Sequence, residues 1–141
     1  MDIRQSVLKN GLRIITAERP QIESVSLGIW VHTGSASETK EDNGISHFIE
    51  HMVFKGTKKR NSLQISEDIE NVGGSTNAYT SRHFTCFYAK MLKNDVELAA
   101  DVICDFVTTF LIRLYLTSSS LICPILSSSS SKVGLPDSLS H

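Results

Sequence analysis

The chain has 141 residues, enough for one domain with its own hydrophobic core. Its 14 basic residues are balanced by 15 acidic ones, so it lacks the basic excess that marks a nucleic-acid surface. Cys86, Cys104 and Cys123 are odd in number and include no CxxC pair, which argues against a disulfide scaffold or zinc ribbon and for free thiols.

The first residues, 1–19, contain no apolar stretch of the signal-peptide kind and no Arg- and Ser-rich, acid-poor presequence, so the cytosol is the expected location. Asn10–Gly11 lies between Val7–Leu8 and Leu12–Ile15, and this pair between short apolar runs predicts a β-hairpin. Val25, Leu27, Ile29 and Val31 alternate with Ser26, Gly28, Trp30 and His32, the period of a strand with one buried face. A helix is predicted from Gly44 to Gly56, apolar at Ile45, Phe48, Ile49, Met52 and Val53. A second runs from Ser62 to Asn71 and stops at Gly73–Gly74.

Ser75–Tyr79 and Phe84–Met91 read as strands, and Asn94 or Asp95 can cap a third helix bearing Val96, Ala99, Val102, Ile103 and Phe106. The order β-β-β-α-α-β-β-α predicts an α+β fold, mainly antiparallel sheet with helices packed on one face.

Residues 1–107 carry this pattern, and residues 108–141 are read as an atypical Ser-rich tail outside the fold. The stretch from Phe110 to Leu126 is apolar but broken by Arg113, Thr117, serines and Pro124, which argues against a membrane span. The Ser127–Ser131 run has no periodicity.

The chemistry sits in His47–Phe48–Ile49–Glu50–His51. Residues four apart on a helix share a face, so two imidazoles there can aim at one ion at zinc-like distances. Glu50 comes near the same face, where a carboxylate can act as general base. His-x-x-Glu-His inverts the commoner His-Glu-x-x-His and supports equivalent geometry. About one chain in a hundred of this composition would contain the pentapeptide by chance.

GISHFIEHMVFKGTKKR and IENVGGSTNAYTSRHFTCFYAKMLKNDVELAADVICDFV closely resemble the M16 (pitrilysin/insulinase) peptidases, especially bacterial relatives of the mitochondrial processing peptidase β subunit. The resemblance runs from VLKNGLRIIT to Val107. It implies His47 and His51 as Zn2+ ligands, Glu50 as general base, and Phe54 in a pocket for an apolar substrate side chain. It also implies that Asn77 and Ala78 lie on an edge strand that pairs with an extended peptide. His83 is expected to be exposed, and Cys104 to be a small core residue rather than a thiolate ligand.

The family also implies a third ligand, a glutamate roughly seventy to eighty residues past the pentapeptide. The matching region reads Ser118 to Lys132, and no Glu follows Glu97. Of Glu67, Asp68, Glu70, Glu97, Asp101 and Asp105, Glu70 and Asp101 are the leading candidates to substitute, and spacing places none of the six. Active members further require a second homologous half or a partner subunit. The expected activity is zinc-dependent endopeptidase cleavage of extended peptides, unfolded polypeptides or presequences, in the cytoplasm of a bacterium or the mitochondrial matrix of a eukaryote. The alternative is a truncated, inactive fragment that binds peptide or a partner. A domain lacking its final helices is expected to expose apolar faces and to associate with itself.

Overall fold

The computed structural model describes residues 2–117. Strands β1 (Asp2–Val7), β2 (Arg13–Glu18) and β3 (Ser24–Val31) come first, followed by helices α1 (Ile45–Val53) and α2 (Ser62–Glu70). Strands β4 (Ser75–Thr80) and β5 (Thr85–Leu92) and helix α3 (Val96–Thr117) complete the order, which matches the order predicted from the sequence.

Strands β1 and β2 form the hairpin announced by Asn10–Gly11, with Gly11 at φ 85 and Ser6 opposite Ile14. It is a two-stranded sheet of its own, and every residue of both strands is exposed.

The other sheet has the order β3-β5-β4, with both neighbours antiparallel to β5. Strand β5 is the most buried because each edge is paired and one face lies under helices. Val25, Leu27 and Ile29 stand opposite Met91, Ala89 and Phe87 in register. This row is the inner face, the one predicted by the period of two, and α3 covers it with Val102, Phe106 and Phe110. Phe87 meets Phe110 and Phe106 with ring centroids 5.3 and 6.3 Å apart. Ile49 and Val53 of α1 and Ile65 and Ile69 of α2 close the same core. Among the described residues no helix is long and apolar enough to cross a membrane.

Helix α2 begins with a reciprocal cap, in which Asn61 Oδ1 accepts from Gln64 N and Gln64 Oε1 accepts from Asn61 N, both at 2.9 Å. It ends at Glu70, and Gly73, at φ 67, lets the chain reverse just beyond, where the Gly73–Gly74 pair predicts a stop.

The expected boundary at residue 107 falls inside α3. The buried series Ala99, Val102, Ile103 and Phe106 continues at helical spacing through Phe110 and Leu114. At the expected boundary Thr108 Oγ1 turns back to the Cys104 carbonyl at 2.8 Å, a bond that threonine makes within a helix. The Ser-rich run, Cys123 and His141 lie outside the described residues. Cys104 corrects another expectation, since it faces solvent on α3 and is no core residue. Cys86 is buried, and burial pushes its thiol up in pKa.

Candidate metal centre

Helix α1 is short, and the sequence around it supplies both ends. Its N-cap is Gly44 at φ 89, a residue with no side chain to accept the first N–H groups. Glu38, six residues upstream, fills that role: Oε2 accepts Gly44 N–H at 2.7 Å and Oε1 accepts Ser46 N–H at 2.9 Å. Partial burial pushes the Glu38 carboxyl up, but these two bonds outweigh it and hold the pKa below the ordinary value. At the other end Lys55 N–H and Gly56 N–H bond to Met52 and Val53 carbonyls, three residues back, so the helix tightens and stops before Gly56.

On this helix Ile49 and Val53 face the core while His47 and His51 face solvent. Their Nε2 atoms are 3.0 Å apart, with ring centroids at 4.5 Å. Two nitrogens bound tetrahedrally to one zinc at 2.0–2.1 Å would lie about 3.3 Å apart, so the pair fits a shared ion with little adjustment. Glu50 contributes a carboxylate oxygen to the same group, whose ligand atoms all lie within 4.8 Å of one another. Among the described residues, it is the one such group of three or more His, Cys, Asp or Glu side chains.

Glu50 is only 6% exposed. Thr80 on β4 donates to its Oε2 at 2.5 Å, and Thr85 on β5 stands behind Thr80 at 3.3 Å. Thr85 in turn donates to the Thr33 carbonyl at 3.0 Å. The sheet thereby fixes the direction in which the Glu50 carboxylate points. No spacing motif marks Thr80 or Glu38 as part of the site. Thr80 sits inside the Asn-Ala-Tyr-Thr-Ser run quoted for the resemblance, and a glycine at an N-cap is the signal that an acceptor must come from elsewhere.

The suggested substitutes for a third ligand do not join this group. Asp101 is held by Lys59 at 2.8 Å and Arg60 at 2.5 Å, and those bonds bring its pKa down to about 2. Arg60, itself largely buried, also pairs with Asp68 at 2.7 Å and Asp105 at 3.4 Å. Thr57 Oγ1 adds a bond to Asp105 at 2.6 Å. This network ties the loop after α1 to α2 and α3. Glu70 instead lines a cavity of about 280 Å³ with Phe54, Ile65, Ile69 and Thr76.

Phe54 is therefore at a pocket, and it also stacks on Phe106 at 4.9 Å, so it is a core residue as well. Asn77 and Ala78 lie on β4, an edge strand of the sheet. Asn77 Oδ1 accepts the Ala78 N–H at 2.8 Å, so that donor is turned away from the β5 ladder. His83 is exposed, as expected.

Residues 13–119 match the model of the insulinase family, Peptidase family M16. An uncharacterized zinc protease of Streptomyces coelicolor is 48% identical over 111 residues, 79% of this chain and 24% of its own length. A zinc protease of Bacillus subtilis, likewise uncharacterized, is 46% identical over 77% of this chain and 27% of its own. The mitochondrial-processing peptidase subunit beta of Saccharomyces cerevisiae is 46% identical over 74% of this chain and 23% of its own. The chain spans about a quarter of the length of these curated relatives. With the pentapeptide on a helix and a match over most of its length, the chain belongs to the insulinase family, peptidase family M16.

Proposed function

We propose that the chain forms the zinc-ligating and general-base part of an M16-type metalloendopeptidase acting on extended peptides or presequences. The observation that carries this reading is the pairing of His47 and His51, Nε2 to Nε2 at 3.0 Å, beside the buried Glu50 carboxylate. His47 and His51 would hold Zn2+, which when bound acidifies water and polarises a carbonyl. Glu50, aimed by Thr80, takes a proton from the attacking water and hands it to the leaving amine.

The free edge of β4 receives the peptide backbone, and the Asn77 side chain swings off the Ala78 N–H to release a donor. Phe54 and its cavity accept an apolar side chain. A homologous partner subunit or second half closes over the substrate, in keeping with the word subunit in the yeast relative's name. The compartment is the bacterial cytoplasm or the mitochondrial matrix.

One observation favours a second reading, a peptide-binding module without catalysis. No glutamate follows Glu97, and the described group offers two histidines and a glutamate suited to base work. Peptide hydrolysis with and without chelator, compared between the chain and Glu50→Gln, separates the two. Chelator-sensitive hydrolysis that the substitution abolishes supports the enzyme, and peptide binding without hydrolysis supports the module. Hydrolysis unaffected by Glu50→Gln contradicts the role given to that residue.

A further inference from the structure

Arg113 lies in the part of α3 past the expected domain boundary, yet it reaches the helix that carries the pentapeptide. Its Nη1 donates to the Met52 carbonyl at 2.8 Å and its Nη2 to the Gly56 carbonyl at 3.1 Å. Met52 follows His51 directly in the last turn of α1, where its carbonyl accepts a tightened bond from Lys55 N–H at 3.2 Å in place of a regular helical one. A planar guanidinium can bond both carbonyls at once, tying the end of α1 to the turn that follows it, and its positive charge suits a helix C-terminus.

The arginine is itself carried on an anchored stretch of α3, since Phe110, one turn before it, is fully buried. A nine-residue helix is marginal on its own and frays from its ends. His51 is within that fraying turn. Glu38 anchors the opposite end, beyond His47.

We propose that Arg113 is a positioning residue for the metal centre, fixing the last turn of α1 and with it the place of His51 beside His47. The proposal rests on the reading of the two histidines as zinc ligands. The described hydrogen bonds of the Arg113 guanidinium go to the Met52 and Gly56 carbonyls, and it acts through them. It also gives the segment after residue 107 a function at the site, not merely in the core.

The test uses the full chain, with Arg113→Gln, Arg113→Lys and, as a control that loses packing one residue away, Leu114→Ala. Three quantities are measured where all variants are folded: zinc affinity by chelator competition, histidine ring resonances, and amide exchange of residues 54–56. Arg113→Gln is expected to weaken zinc about tenfold, as lost outer-shell support does, to move the His51 ring signals and to speed that exchange. Arg113→Lys, which keeps the charge but loses the fork, is expected to fall between. Leu114→Ala is expected to lower the melting temperature with zinc affinity and His51 signals unchanged.

Zinc affinity and His51 signals in Arg113→Gln equal to those in Leu114→Ala would overturn the proposal. If the unaltered chain takes up no zinc, the ligand reading falls while Arg113 is still judged: changes at His51 and residues 54–56 confined to the Arg113 variants support its role, and their absence overturns it. If Arg113→Gln does not fold, Arg113→Lys is read by the same criteria.

Discussion

Glu38→Gln isolates the electrostatic part of the cap on α1, because it keeps size and one acceptor while removing charge. The native carboxylate accepts two backbone N–H groups, at 2.7 and 2.9 Å, and lies at the positive end of the helix dipole. The dipole contribution is worth about 0.3–1 kcal/mol, and weakening two charge-assisted bonds to neutral ones adds a similar amount. After a discount for partial exposure the loss is about 0.5–1.5 kcal/mol at neutral pH. For a folded unit of this size that is a fall in melting temperature of about 2–6 °C.

The sign of the pH dependence follows from the lowered pKa. A carboxyl whose folded pKa is depressed contributes stability above its ordinary value of 4.5, and loses it as pH falls through the folded value. Thermal melts followed by circular dichroism from pH 7 downward should show the gap between the chain and Glu38→Gln narrowing below that value. A gap that is constant with pH, or that widens in acid, would refute the cap as the source of the stability.

Arg60→Met leaves Asp105, whose side chain is 6% exposed, without its cationic neighbour. Removing one partner of a buried pair costs about 3–5 kcal/mol, and the lower end applies because Thr57 still donates to Asp105. Urea unfolding measures this, and a loss under about 1 kcal/mol would mean the network is solvated in solution. Phe110→Ala removes a fully buried ring packed on Phe87 and should cost about 3–5 kcal/mol. An unchanged urea midpoint would return the boundary of the fold to residue 107.

Much of this fold was legible because local rules and tertiary demand agree. Asn10–Gly11, the Val25–Val31 alternation and Gly73–Gly74 each specify one local conformation, and the structure has it. The pentapeptide was legible too, since four-residue spacing on a helix places His47 and His51 together whatever surrounds them. The supports of that helix were not. Glu38, Thr80 and Arg113 reach it from a loop, a strand and a distant helix, and no short-range pattern records such contacts.

Arg113 shows the difficulty most clearly. In the sequence it interrupts an apolar run and looks like a fault in a membrane-like segment, whereas in space its guanidinium bonds the Met52 and Gly56 carbonyls at the end of α1. The boundary at residue 107 misled because the change of composition after it hides a continuing helical period, in which Phe110 and Leu114 are buried. The acidic candidates for a third ligand failed because Lys59 and Arg60 claim Asp101, a pairing that charge counting along the chain does not register.

The most direct test of the metal centre is zinc uptake by the metal-free chain, with His47→Ala, His51→Ala and Glu50→Gln beside it. One zinc per chain is predicted, lost on replacing either histidine and kept in Glu50→Gln. No zinc uptake, or uptake indifferent to both histidines, would contradict the assignment of His47 and His51 as its ligands.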